Sequence, residues 1–434
     1  MKKILSRFIK FLIRVCLYLN LHFLFAFLIM KITGINNSGA KEGIIVFGRI
    51  SSDLELLTKS KKYNYFYLHR LQFFIPSIFL DREIMSQKKY FDATDRKSQE
   101  QKQQLEKHLL KLLKYFKEKA NVKYIFAASY NFFEHQEWAN AGKELGIELI
   151  IYYKEGVLAD GRIDGAKFYI EEAAKKINNV DKVLVYGETG YKHFVNTNLV
   201  DNSQIYKVGS LKADELYKNL KISNSNSNKN KKTITLFAFP AGEFPKGFDA
   251  NSYYSQQWHA GYWCPNLWKE TINEFAKLSN KFTNYEFLVK TKSPPSTELV
   301  KSFIDVENID NLVFSDEITT SEVCQKSNLV IAFNSTVLIE VLSTDVNCLV
   351  PQWHEALDPI FKDKLFLTET SKGYNSVHSA MEFNKFISSL IVCDFDTTDL
   401  KNDRKSRQSI VNYYLEAVDG NVMKRIHQVL NGIS

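Results

Sequence analysis

Twice along this chain, short apolar runs alternate with helix-like stretches, and one polar tract separates the two series. The first series holds GIIVFG (43–48), YNYFYL (63–68), VKYIFAAS (122–129), IELIIYY (147–153), DKVLVYG (181–187) and IYKVG (205–209). Between them QEQKQQLEKHLLKLLKYFKEKA reads as a long amphipathic helix, and EWANAGKELG as a shorter one closed by Gly146. That alternation confines the chain to α/β architectures with mostly parallel sheets. The tract NLKISNSNSNKNKK (219–232) has almost nothing to bury and reads as a surface linker. After it the pattern restarts with TITLFAF, then the helix NLWKETINEFAKLSN, the strands YEFLVKTK and NLVFS, the helix TSEVCQKS, the strand LVIAF, the helix TVLIEVLS and the strand NCLVP. No fixed-period repeat is visible in either series.

The 434 residues exceed one ordinary core. The expectation is therefore an α/β protein with two Rossmann-like, doubly wound domains facing across a cleft, at 42–218 and 233–400, joined by the 219–232 linker. The last stretch, 401–434, reads as helices, and 1–34 as a separate N-terminal segment. With 45% apolar and 24% charged residues, wholesale disorder is excluded.

The net charge of +8 invites a nucleic-acid partner, but Lys2, Lys3, Arg7, Lys10, Arg14 and Lys31 supply six of those charges within residues 1–32, where no Asp or Glu stands. The body lacks a basic footprint, so no nucleic acid is expected. Lys3, Arg7, Lys10 and Arg14 fall on one helical face opposite Leu5, Phe8, Ile9, Leu12 and Cys16, and the run VCLYLNLHFLFAFLIM follows. A basic amphipathic helix of this kind suits an anionic membrane interface. A spanning helix, a cleaved leader ending near Ser38-Gly39-Ala40, and packing on the protein's own core compete with that reading. The favoured expectation is a peripheral or monotopic anchor through residues 1–32, holding the body at the cytoplasmic face of the inner membrane.

Cys16, Cys264, Cys324, Cys348 and Cys393 are scattered, odd in number and without CxxC spacing, and read as reduced, buried thiols. No His/Cys cluster has ligand spacing and no DxD-like pair follows a strand, so no tightly bound metal or cofactor is expected.

Ligands in doubly wound sheets bind beyond the carboxyl ends of strands, which directs attention to residues that follow strands. In LVIAFNSTVLIEVLSTDVNCLVP (329–351) the polar step Asn334, Ser335, Thr336 follows a strand and opens a helix, with Glu340 one turn further on. A helix N-terminus with hydroxyls suits an anion. Plain N-capping explains the hydroxyls as well.

The stretch SNLVIAFNSTVLIEVLSTDVNCLVP resembles the donor-domain segment of GT-B glycosyltransferases that build bacterial capsules and other surface polysaccharides, and of the related CDP-glycerol glycerophosphotransferases. IYKVGSLKADEL is similar to the strand, Gly and Asp that close the first domain in those enzymes and in sugar-nucleotide 2-epimerases. IELIIYYKEGVLADG followed by DKVLVYGETGYKHF resembles their acceptor-domain pattern. The resemblance spans roughly residues 120–355. It implies a GT-B fold and a nucleotide-activated donor in the C-terminal domain, with diphosphate near Ser335 and Thr336 and ribose near Glu340. Lys290 and Lys292, after YEFLVK, are candidate phosphate ligands, although TKSPP stands where the related families more often carry Lys and a His-Pro pair.

Glycosyl transfer with inversion needs a base for the acceptor hydroxyl and a means of holding charge on the departing phosphate. Glu155, directly after IIYYK and before Gly156, is the leading base candidate; Asp160 and Asp164 follow in the same polar loop. The long aromatic loop 240–266 carries Trp258 and His259, and His259 is the reserve base. The expected activity is metal-independent transfer of a sugar or polyol phosphate to a lipid-linked or glycan acceptor in surface-polysaccharide assembly. A 2-epimerase, or a non-catalytic membrane-tethered scaffold of the same fold, are the alternatives.

Overall fold

The structure, a computed structural model, describes residues 11–12, 15–16, 21–35, 42–48, 52–68, 71–129, 133–153, 157, 179–197, 200–224, 232–238, 264–304, 309–359, 367, 372–396, 400 and 403–432. The first series of apolar runs forms a seven-stranded sheet: β1 (Gly34–Ile35), β2 (Gly43–Val46), β3 (Asn64–Tyr67), β4 (Val122–Ala127), β5 (Glu148–Tyr152), β6 (Lys182–Val185) and β7 (Ile205–Lys207). Its order is β1-β3-β2-β4-β5-β6-β7, parallel throughout except where β1 pairs with β3.

The second series forms a six-stranded sheet from β8 (Thr233–Phe237), β9 (Glu286–Lys290), β10 (Leu312–Ser315), β11 (Ser327–Ile331), β12 (Asn347–Pro351) and β13 (Asn375–Val377). The order β10-β9-β8-β11-β12-β13 is wholly parallel. The strands are apolar runs rather than alternating ones because both faces of each sheet are covered. β1 and β13, two and three residues long, are too short for a sequence pattern to mark.

The helices that shape the site are α1 (His22–Thr33), α2 (Ser52–Leu57), α3 (Arg96–Ala120), α4 (Leu211–Asn224), α5 (Pro265–Lys281), α6 (Thr320–Lys326), α7 (Thr336–Leu342), α8 (Ala380–Val392), α9 (Arg404–Leu415) and α10 (Val422–Leu430). In α3, Leu105, Leu109, Leu112, Leu113 and Phe116 recur at helical spacing and are buried. Asp95 caps its start by accepting the Ser98 N–H at 3.0 Å, and Asn121 ends it with a φ of +46°. α4 runs on to Asn224, so residues 219–224 of the tract read as linker are helical.

One apolar cluster passes from Ile44 and Leu184 of the first sheet to Val330 and Val350 of the second, and takes in Val411 of α9 and Val422 of α10. The two halves therefore share a dry contact. The opposite face of the first sheet packs Ile45 and Ile151 against Leu109, Phe116, Phe25 and Ile29, and that of the second packs Ile234 and Leu349 against Phe275 of α5 and Phe383 of α8.

The C-terminal helices return to the first half. Asp214, fully buried, accepts the N–H groups of Gly420 at 2.6 Å and Val422 at 3.2 Å, so it holds the start of α10. Tyr124 Oη donates to Leu430 O at 2.9 Å. Gly187 lies so close beneath α9 that a Cβ there would sit 2.6 Å from the Tyr414 carbonyl carbon.

α1 is 12 residues long, and among the described residues no helix is long and apolar enough to cross a membrane. The spanning reading of the N-terminal segment thus gains no support. One side of α1 buries Phe25, Ala26 and Ile29 against the body, next to Cys16, while Phe23, Leu24, Phe27 and Ile32 stay exposed. Four cysteines are buried as expected; Cys393 is exposed, contrary to that expectation.

Candidate functional site at the carboxyl edges of the two sheets

Strand order locates the crevices. From β2 the first sheet builds outward to β3 on one side and to β4 on the other, and the second sheet does the same from β8 to β9 and β11. Such topological switch points are where doubly wound sheets bind ligands. The residues leaving β2 lead into α2 and Asp53; those leaving β11 are Ala332, Phe333, Asn334 and Ser335, leading into α7.

These two edges meet through side chains. Lys212, in the first turn of α4, places Nζ 2.7 Å from Glu340 Oε1 of α7. Its own N–H donates to Asp53 Oδ1 at 2.7 Å, and the Tyr186 hydroxyl, at the end of β6, donates to Asp53 Oδ2. Tyr152, at the end of β5, clamps the preceding turn by donating to Gly209 O at 2.8 Å and accepting the Leu211 N–H at 2.9 Å. Gly209 has a φ of +92°, a conformation that favours glycine. Lys212 is thus fixed at its backbone by two buried groups while its side chain crosses to the other half.

Burial pushes the Asp53 carboxyl above its ordinary range; the Tyr186 and Lys212 hydrogen bonds pull it back, and the Glu340 charge adds to the rise. The Glu340 side chain is 12% exposed and that of Lys212 44%. Glu340 Oε2 is buried and has no hydrogen-bond partner among the described residues, which is costly for a carboxylate oxygen. Across the edge, Lys290 Nζ donates to Thr291 O at 2.6 Å and to Asp316 O at 2.8 Å. Burial holds its ammonium below the ordinary lysine value, and the Lys212 charge adds to the effect.

Sequence reasoning marked Glu340, which pairs with Lys212 here, and Lys290, which ends β9 with its ammonium on two backbone carbonyls. Asn334 takes a left-handed φ of +45°, and Ser335 is buried with its hydroxyl accepting the Val337 N–H at 3.3 Å. Ser335 is therefore the N-cap of α7, and the Leu338 N–H is already taken by Ser335 O at 3.0 Å. That leaves Thr336, which is exposed, as the outward hydroxyl of the step; Lys292 is exposed as well. Glu155, Asp160, Asp164, Trp258 and His259 lie outside the described residues. Among the described residues no group of three or more His, Cys, Asp and Glu side chains is placed to hold a metal ion.

Asp53, Tyr152, Tyr186 and Lys212 were not singled out from sequence. The signal was present for Tyr152 and Tyr186, which end β5 and directly follow β6, whereas Asp53 and Lys212 are the second residues of α2 and α4. A cavity of about 1000 Å³ opens elsewhere, at the amino ends of β11 and β12, and is lined by Leu220, Asn328, Arg407 and Val418. Its position at the amino ends sets it apart from the edge where doubly wound sheets place ligands.

No protein-family model matches the sequence, and no curated protein matches it. Solved structures match its fold. The UDP-GlcNAc 2-epimerase from Neisseria meningitidis bound to UDP-GlcNAc superposes with a TM-score of 0.50 at 11% identity, over 90% of this chain and 100% of its own. The UDP-GlcNAc 2-epimerase from Methanocaldococcus jannaschii gives 0.50 at 11%, over 90% and 99%. The wall teichoic acid polymerase TagF soaked with CDPG gives 0.51 at 12%, over 99% of this chain and 98% of its own. At these identities the likeness establishes a two-domain, GT-B-like fold.

Proposed function

We propose that this protein is a transferase that moves a sugar or polyol phosphate from a nucleotide-activated donor to a lipid-linked or glycan acceptor, within surface-polysaccharide assembly. One observation carries the reading: Glu340 Oε2, buried and without a donor among the described residues, sits at the switch-point edge where the Lys212 ammonium pairs with Oε1. A carboxylate oxygen lacking a donor calls for a hydroxyl, and the part-exposed Lys212 ammonium beside it calls for an anion. A ribose joined to a diphosphate supplies both within one molecule.

In that reading Glu340 accepts a ribose hydroxyl and Lys290 and Thr336 face the phosphates. The cations would stabilise charge on the leaving diphosphate in a partly dehydrated edge, where such stabilisation is strong. The acceptor proton goes to a carboxylate or imidazole, for which Glu155, Asp160 and His259 are the candidates. No step requires a metal ion. The fold is common to the TagF polymerase and to the 2-epimerases; the basic, apolar N-terminal segment, for which a soluble epimerase has little use, favours transfer.

The reading also places the protein at the cytoplasmic face of a membrane, docked by the N-terminal segment, where lipid-linked acceptors are presented. The test is thermal unfolding of the full chain with CDP, UDP, GDP and CMP, followed by turnover assays with the activated sugar or polyol of whichever nucleotide stabilises it. A rise in Tm for a pyrimidine or purine diphosphate is expected. Absence of any shift at millimolar nucleotide removes the transferase and epimerase readings together and leaves a scaffold.

A further inference from the structure

The sequence places its donor-site marks on the second half. The structure brings a group from the first. Lys212 belongs to the half that carries β1 to β7, yet its ammonium reaches Glu340 of α7 at 2.7 Å. An ammonium has three donors, and Glu340 Oε1 accounts for one. The Lys212 side chain remains 44% exposed, whereas its partner is nearly buried. Lys290 arrives from β9, with two carbonyls, of Thr291 and Asp316, already on its ammonium.

One cation of the first half therefore crosses to a carboxylate of the second, whereas two of the three Lys290 donors are already taken by backbone carbonyls. Both oxygens of the nearby Asp53 are engaged, by the Tyr186 hydroxyl and the Lys212 N–H, so Asp53 does not compete for the Lys212 ammonium. The spare donors of Lys212 lie beside an acceptor, Glu340 Oε2, that has no donor among the described residues. A simple interdomain ion pair leaves the buried Oε2 unexplained.

We propose that Lys212 is a donor-phosphate ligand contributed by the first half, so that the nucleotide-diphosphate site is complete only where the two halves meet. This rests on the nucleotide-donor reading of the Glu340 edge. When donor binds, Lys212 turns part of its hydrogen bonding from Glu340 to the diphosphate, while Glu340 takes the ribose hydroxyl. The Asp53 and Tyr152 clamps keep the Lys212 backbone in place during that exchange.

The experiment is calorimetric titration of the full chain with UDP, UMP, CDP and CMP, comparing wild type with Lys212→Gln and Lys212→Arg. Gln keeps a donor for Glu340 Oε1 and so protects the fold; Arg keeps the charge. A charge-assisted contact to phosphate predicts diphosphate binding weakened on the order of 10- to 100-fold in Lys212→Gln, with the monophosphates changed much less and Lys212→Arg restored to within a few-fold. Diphosphate affinity of Lys212→Gln within about twofold of wild type overturns the role of Lys212 and leaves the nucleotide-donor reading intact. Wild type that binds none of the four overturns both.

Discussion

Lys212 Nζ lies 2.7 Å from Glu340 Oε1, an ion pair whose members belong to two different sheets. Its energetics are unequal on the two sides. Truncating Lys212 strands a carboxylate whose side chain is only 12% exposed, with both oxygens then lacking a donor. Truncating Glu340 releases an ammonium that water can reach, and also removes the orphaned oxygen. Lys212→Ala is therefore expected to cost about 1–3 kcal/mol and Glu340→Ala under about 1 kcal/mol, less than for a fully buried pair because Lys212 is partly solvated. Urea unfolding of both single variants and the double variant measures this; equal single-variant costs would contradict the asymmetry.

Much of the architecture is legible in the sequence, and the reason is local. A buried parallel strand writes an uninterrupted apolar run, and a covering helix writes a stripe, so β2 to β12 coincide with runs that can be read directly. The step Asn334 to Glu340 is legible too, because strand, cap and helix follow one another in the chain. What the chain does not show is pairing over distance. Asp53 meets Tyr186 133 positions away and Lys212 159 away, and Lys212 meets Glu340 128 away. Each reads alone as an ordinary polar residue near a strand end. Ser335 illustrates the converse: capping is legible from the step itself, and its hydroxyl accepts the Val337 N–H at 3.3 Å.

Asp53 gives a pH dependence with a definite sign. Its carboxyl is held above the ordinary range, chiefly by burial, so the folded protein binds that proton more tightly than the unfolded chain. The stability linked to it is fully present below the unfolded-state value, near 3.9 for aspartate, and is lost as pH rises through the raised folded-state value. Asp53→Asn keeps a carbonyl for the Lys212 N–H and cannot ionise. Wild type is expected to lose stability over that window more steeply than Asp53→Asn, as read by Tm across a pH series. Parallel curves for the two proteins would show that Asp53 ionises in the fold at no cost.

Gly187 sits under the backbone of α9, and the contact predicts intolerance of any side chain. A Cβ at that position would lie 2.6 Å from the Tyr414 carbonyl carbon and 2.7 Å from its oxygen, and backbone atoms cannot rotate aside. Gly187→Ala is expected to cost about 1–3 kcal/mol or more through displacement of α9. Hydrogen exchange across residues 404–415 should rise in the variant while α3 keeps its protection. Unchanged exchange in α9 would mean that the helix shifts without loss.

α1 presents two faces with different fates. Phe25, Ala26 and Ile29 are buried on the body, whereas Phe23 (67% exposed), Leu24, Phe27 and Ile32 point to solvent, with Lys31 Nζ 5.7 Å from the Phe27 ring. An exposed apolar row beside a cation, continuing a stretch that carries six cations and no acid, matches the headgroup and acyl boundary of an anionic bilayer. Leu24→Asp with Phe27→Asp removes apolar surface without touching the buried face, so Tm should hold to within a degree or two. Burying such side chains contributes roughly 1.5–3 kcal/mol each when complete, so even partial insertion predicts a tenfold or greater loss of binding to vesicles containing phosphatidylglycerol. Wild type should sediment with those vesicles, release as salt is raised, and bind phosphatidylcholine vesicles far less. Equal sedimentation of wild type and the double variant would move the membrane contact away from α1. Failure of wild type to sediment with either vesicle would leave this apolar row to a protein partner.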